Sequence, residues 1–187
     1  MNTTDWGGML AMPVRPERDH IRGPASATTT LIEYGDYECP YCRMAHGIVA
    51  AVQARLHDRV RFIFRHFPLT TVHPHAQPAA EAAEAAGSQS RFWSMHDTLF
   101  TVPALTDNVF IAAARGLDLD VHAFNSELMQ HVHVPRIRED FVSGVRSGVN
   151  GTPAFYINGV RHDGAWDFET LLAAVDRAGS TARTPAR

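Results

Sequence analysis

The sequence predicts an α/β fold, with a central mixed sheet flanked by helices and an inserted all-helical subdomain. Three observations carry that expectation. Short β-branched and aromatic runs recur towards both ends of the chain. Those runs alternate with helical patterns. Between the second and third strands, about 75 residues show helical patterning throughout, too long a stretch to be a loop.

Residues 1–27 read as an N-terminal arm, interrupted by Pro13, Pro16, Gly23 and Pro24. The first part of the sheet domain spans 28–73. Its first strand covers 29–34, a helix follows from Arg43 to about His57, and a second strand covers 60–64, ending near Phe67-Pro68.

The insertion spans 74–149. An Ala/Glu-rich helix over 76–86 ends at Gly87, a good residue for leaving a helix. Ser90 is placed to cap a helix carrying Phe92, Trp93, Met95, Leu99 and Phe100, which read as core of the insertion. Residues 107–115 form a helix ending at Gly116. Asp120 caps another to about Gln130, and Pro135 opens a last one towards Val149.

The sheet domain resumes over 150–178. A third strand covers 154–157. Asn158-Gly159 then signals a two-residue hairpin, whose turn positions both need positive φ. An edge strand from Val160 to about Asp163 follows, and Asp167 caps a closing helix whose buried stripe is Phe168, Leu171, Leu172 and Val175. Residues 179–187 read as a flexible tail.

Composition excludes several function classes. The 187 residues are 45% hydrophobic and 20% charged, with a net charge of −3. That offers no basic footprint for nucleic acid and no polybasic membrane signal. No apolar run approaches a membrane span. The short apolar stretch at 7–14 follows Asp5 and lacks a basic lead, so the expected location is the cytoplasm.

Chemistry concentrates at Cys39-Pro40-Tyr41-Cys42, which holds both cysteines of the chain. A zinc site would need further ligands, commonly a second pair at similar spacing. A Cys-x-x-Cys between a strand and a helix reads instead as a dithiol/disulfide redox site. Cys39 at the helix N-terminus is the expected nucleophile, because free N–H groups and the helix dipole favour its thiolate. Cys42, one turn in, is the expected resolving thiol, displacing the mixed disulfide that Cys39 forms.

Two other positions stay open on the residues alone. Thr152-Pro153 enters a strand from the Gly-rich run 148–151, as an ordinary turn or as a cis-proline. Glu33 shares a strand face with Leu31, as an exposed carboxylate or as one buried beneath the thiols with a raised pKa. The eleven histidines, including the His73/His75 and His131/His133 pairs, read as surface or capping residues, so no metal site is expected. His46, one turn after Cys42, is placed to influence the thiol pKa.

The segments Tyr34-Gly35-Asp36-Tyr37-Glu38-Cys39-Pro40-Tyr41-Cys42 and Gly148-Val149-Asn150-Gly151-Thr152-Pro153-Ala154-Phe155-Tyr156-Ile157-Asn158-Gly159 together resemble the two signatures of the DsbA-like disulfide oxidoreductases. The likeness covers about residues 18–177. It implies a thioredoxin fold interrupted by a helical lid, with Pro153 cis and packed against the dithiol. It implies that the Thr152 backbone pairs with an extended substrate and that Tyr41 joins Thr152 and Pro153 in binding it. Glu33 takes the place of the family's buried carboxylate, completing a catalytic set with Cys39 and Cys42. Pro40-Tyr41 departs from the Pro-His of the best-known periplasmic oxidase, which points away from a very strong oxidant.

The expected function is therefore thiol–disulfide exchange with protein or peptide thiols, as a cytoplasmic reductase or isomerase without cofactor, served by an unidentified redox partner. One alternative is an enzyme similar to kappa-class glutathione transferases or hydroxychromene carboxylate isomerases. Those do not rely on a second cysteine, so Cys42 argues against them. The other is a non-catalytic redox-sensing or holdase-type binding protein.

Overall fold

Two parallel strands form the centre of the molecule: β2 (Thr29–Gly35) and β3 (Val60–His66), with Glu33 opposite Phe64. The computed structural model describes residues 8–181. Across the sheet the order is β1 (Ile21–Arg22), β3, β2, β4 (Ala154–Ile157) and β5 (Val160–His162). β1, β4 and β5 each run antiparallel to their neighbours, so the sheet is mixed. The parallel pair needs a crossover, supplied by α1 (Pro40–Leu56).

Between β3 and β4 the chain forms α2 (Ala76–Ser88), α3 (Phe92–Thr101), α4 (Asp107–Gly116), α5 (Val121–Met129) and α6 (Val134–Arg146). α7 (Phe168–Thr181) closes the described chain.

Strand alternation divides the core into two layers. On one face Leu31, Phe62, Phe64 and Phe155 pack with Val49 and Val52 of α1 and Leu171 and Val175 of α7. The same cluster continues into Phe92, Met95 and Leu99 of α3, so the insertion and the sheet share one core. On the other face Ile32, Tyr34, Ile63 and Tyr156 pack against Phe141 of α6 and against Leu10 and Val14. Gly144 lets α6 lie close here, since a Cβ at that position would come within 2.7 Å of the Phe67 ring.

The stretch expected as an arm contains β1 and is fastened to the sheet. Arg65 on β3 is fully buried and pairs with Asp19 through two nitrogens at 3.0 Å. It also donates to the backbone oxygens of Met12 and Pro13. Arg18 reaches Asp140 of α6 at 2.6 Å. Buried charges require such partners, and here they join segments far apart in sequence.

Several element ends move. α1 starts at Pro40, β3 runs on to His66, and α2 continues past Gly87. Ser90 does not cap α3: Arg91 holds the N-cap position, and Ser90 sits in the preceding turn with φ 62°. Thr106 caps α4 and Asp120 caps α5 through their side chains. Asn158 and Gly159 have φ values of 49° and 83°, the expected hairpin turn. α7 reaches Thr181, and the rest of the expected tail lies outside the described residues.

Candidate active site

α1 begins at Cys39, an extended N-cap residue at φ −68° and ψ 122°, with Pro40 in the first turn. Proline suits that place because its N–H would have had no helical partner. The first-turn N–H groups of Tyr41 and Cys42 lie near enough to favour a Cys39 thiolate. Both cysteines are free thiols and both are buried. Cys39 donates to the Thr152 carbonyl oxygen at 3.4 Å, and the Asp36 N–H donates to Cys42 Sγ at 3.4 Å. The Thr152–Pro153 bond is cis, and the hydrogen bond from Cys39 brings that loop against the dithiol.

Their electrostatic environments push the two thiols apart. The Cys39 pKa falls to about 5. Hydrogen bonding from Cys42 is the largest cause, opposed by burial and reinforced by the Thr152 hydroxyl and by the N–H groups of Cys42 and Tyr41. Burial pushes the Cys42 thiol well up, and the nearby Cys39 and Glu33 charges add to it. One sulfur is thus an anion at neutral pH and its neighbour remains a thiol.

Glu33 lies beneath them on β2, 2% exposed. Its pKa is raised to about 8, chiefly by burial and then by the Cys39 charge, with the Cys42 thiol partly offsetting both. Glu33 Oε1 has no hydrogen-bond partner. Gly35 keeps this corner open, since a Cβ there would stand 2.3 Å from the Phe64 ring and 3.0 Å from Oε1. A carboxyl that titrates near neutral pH beside a resolving thiol is able to take a proton when ionised and return it when neutral.

Asp36 was not singled out by the sequence reading. Its carboxylate is buried and accepts from the N–H groups of Glu38 and Leu69, while His73 Nδ1 lies 2.8 Å away. With the backbone bond to Cys42, it fixes the strand-to-helix loop on one side and residues 69–73 on the other. A charged residue just before a Cys-x-x-Cys was the available signal. Its burial depends on contacts 33 and 37 residues away.

The residues expected to meet substrate come together. Tyr41, Thr152 and Pro153 line a groove of about 440 Å³ with Arg161, His162 and Trp166. Tyr41 is 60% exposed, and the Thr152 hydroxyl is buried without a partner. His46 does something else. It stacks on Phe100 at a centroid distance of 5.0 Å and faces Asp97 of α3, and it is not among the groups that lower the Cys39 pKa. The paired histidines meet carboxylates instead: His73 with Asp36, His75 with Glu38, His131 with Glu81 and His133 with Glu127.

The profile of the family described as Thioredoxin matches residues 16–177. The chain belongs to the thioredoxin family. Within it the architecture is DsbA-like. Oxidised BdbD from Bacillus subtilis superposes with a TM-score of 0.81 at 18% identity, covering 92% of this chain and 98% of that one. Alpha-DsbA1 from Wolbachia pipientis gives 0.78 at 20% identity, covering 92% and 96%.

Thioredoxin-family sequences much nearer to this one occur inside longer proteins. A Salinispora arenicola protein named Na(+)/H(+) antiporter NhaA 1 is 48% identical over 172 residues, covering 90% of this chain and 26% of that protein. One from Herminiimonas arsenicoxydans, named Na(+)/H(+) antiporter NhaA, is 40% identical over 183 residues, covering 97% and 29%. The chain therefore spans between a quarter and a third of these relatives. Among the described residues no helix is long and apolar enough to cross a membrane.

Proposed function

We propose that this protein exchanges disulfides with protein or peptide thiols through Cys39 and Cys42. The observation that carries the reading is the placement of the two thiols: Cys39 caps α1 against the cis Thr152–Pro153 loop, and Cys42 lies fully buried one turn in, which lowers the first pKa and raises the second. In the reducing direction the Cys39 thiolate attacks a substrate disulfide and forms a Cys39–substrate bond, releasing one substrate thiolate. With Cys39 bonded to substrate, its charge no longer raises the Glu33 pKa. Cys42 gives its proton to ionised Glu33, attacks Cys39 Sγ and expels the second substrate sulfur as a thiolate, which Glu33 or water then protonates. The protein ends as a Cys39–Cys42 disulfide and the substrate gains two electrons. The groove at Tyr41, Thr152 and Pro153 would hold the substrate chain as an added strand.

A Cys39 pKa near 5 lies between the roughly 7 of thioredoxin and 3.5 of DsbA. That is compatible with either reductase or isomerase chemistry, which the reduction potential separates. A chain with only two cysteines, neither of them stapling the fold, suits the cytoplasmic setting expected from the sequence. The test is trapping: Cys42→Ser should accumulate mixed disulfides at Cys39, and Cys39→Ser should abolish insulin reduction. Insulin reduction that survives Cys39→Ser would sink the proposal.

The antiporter names of the long relatives support a second reading, in which the redox domain serves a membrane carrier of that kind. Trapping in membranes with Cys42→Ser tests it, with a covalent carrier adduct as the expected product.

A further inference from the structure

Away from the dithiol, three side chains with metal-binding atoms converge where α1 meets the inserted helices. His46 of α1 and His96 and Asp97 of α3 each offer one nitrogen or oxygen, all within 4.8 Å of one another. His46 Nε2 stands 3.7 Å from Asp97 Oδ1. That is too long for a hydrogen bond. It is near the roughly 3.4 Å edge expected between two ligands held about 2.0–2.1 Å from one tetrahedral ion.

The surroundings are arranged around these atoms. Asp97 Oδ1 is buried and has no hydrogen-bond partner. The other oxygen, Oδ2, takes Arg22 at 2.7 Å, which fixes the carboxylate and leaves Oδ1 facing His46. The Tyr37 hydroxyl lies 3.0 Å from His96 Nδ1, so an Nδ1–H donated to Tyr37 leaves Nε2 as the ligand nitrogen. Metal-bound histidines characteristically donate their second N–H in this way.

We infer that His46, His96 and Asp97 form a binding site for a borderline transition-metal dication of the Zn²⁺ class, bridging α1 and the helical insertion. Two imidazole nitrogens and one carboxylate oxygen are ligands that suit Zn²⁺ or Co²⁺, whereas Ca²⁺ and Mg²⁺ favour all-oxygen sets. Arg22 cancels the Asp97 charge, so attraction rests on ligation rather than on charge, which further disfavours Mg²⁺. Three protein ligands leave the fourth position to water. Tyr37 lies two residues before Cys39, so the ion would brace the loop that carries the nucleophile.

The competing metal ligands are the two thiols, and the experiment removes them. Cobalt(II) is titrated into the full chain carrying Cys39→Ser and Cys42→Ser, and the visible d–d absorption of a four-coordinate ion is followed. The expected result is saturable binding at one equivalent with no sulfur-to-metal charge-transfer band. Adding His46→Ala, at a partly exposed helix position, should weaken binding at least tenfold with the circular dichroism unchanged. Tyr37→Phe should weaken it by about tenfold or more. No binding in the cysteine-free protein, or equal binding with His46→Ala, overturns the site. Neither outcome bears on insulin reduction, so the dithiol reading stands or falls separately.

Discussion

The Cys39 thiol donates a hydrogen bond to the Thr152 carbonyl oxygen, and the Thr152 hydroxyl beside it is buried without a partner. A thiolate reverses this arrangement, because it accepts bonds instead of donating them. The unpartnered hydroxyl is then a ready donor, and it contributes to the low Cys39 pKa. Alkylation of the reduced protein should therefore rise with pH about a midpoint near 5 and level off by neutrality, at Cys39 alone. Thr152→Val, which keeps the shape and removes the donor, should raise that midpoint by about one unit. Iodoacetamide labelling with peptide mapping reads both, and a dominant Cys42 adduct would reverse the assignment of roles.

Glu33 makes a prediction with a definite sign. Its pKa is 4.5 as a free side chain and about 8 in the fold. Between those values the unfolded chain has lost a proton that the folded chain keeps. The Glu33 contribution to stability therefore falls as pH rises from about 4.5 to 8 and is flat above, against an opposite contribution from Cys39 that a Glu33 variant shares. At pH 7 the cost is about 3 kcal/mol, from roughly 1.36 kcal/mol per pKa unit. Glu33→Gln should remove that slope and stabilise the reduced protein at neutral pH while slowing exchange. Urea melts at pH 5 and pH 8 check the first part, and pH–rate profiles check the second. Equal slopes in both proteins would refute a buried, neutral Glu33.

How much of this was legible follows from the range of each interaction. The Cys39 cap and Pro40 were readable because helix starts are set by neighbouring residues. So was the Asn158-Gly159 turn, since both residues favour positive φ. Ser90 misled, because a capping residue type one position early still obeys the local rule. The roles of Arg65, Asp19 and Asp36 were not readable. Arg65 and Asp19 are 46 residues apart and look like ordinary surface charges until residues 12–22 fold across the sheet. His46 failed for a related reason: spacing from Cys42 placed it on the right helix, but α3 supplied the aromatic and acidic neighbours that turned it away.

The Arg65–Asp19 pair is 0% exposed on both sides. Asp19→Ala should destabilise by about 3–5 kcal/mol, because it leaves a buried guanidinium short of its counter-charge. Asp19→Leu combined with Arg65→Met should cost less than Asp19→Ala alone. Urea unfolding of the three variants measures this. A loss below 1 kcal/mol for Asp19→Ala would show that the N-terminal crossing contributes little to stability.

Asp36 satisfies the N–H groups of Glu38 and Leu69 from a buried position. Asp36→Ala strands both donors, at about 1–3 kcal/mol each. The loop between β2 and α1 should loosen, and hydrogen exchange at 36–42 and 69–73 should rise ahead of the rest of the sheet. Insulin reduction should slow even at pH values where Cys39 is fully ionised. Full activity in this variant would reduce Asp36 to a purely structural role.

The remaining prediction concerns the direction of exchange. A stabilised thiolate favours the reduced protein, so a lower nucleophile pKa goes with a more oxidising disulfide. With Cys39 at about 5, the Cys39–Cys42 couple should fall between the roughly −270 mV of thioredoxin and the roughly −120 mV of DsbA. Equilibration with glutathione buffers, followed by acid quench and thiol counting, gives the value directly. A potential near that of protein disulfide isomerase, about −180 mV, would leave both the reduced and the oxidised forms available to reshuffle substrates. A potential at or below that of thioredoxin would mean that Cys42 or the Cys39–Cys42 bond itself offsets the acidity of Cys39, and the protein would then act as a reductase. Thr152→Val separates these cases, because raising the Cys39 pKa should lower the potential if the thiolate sets it and leave it unchanged otherwise.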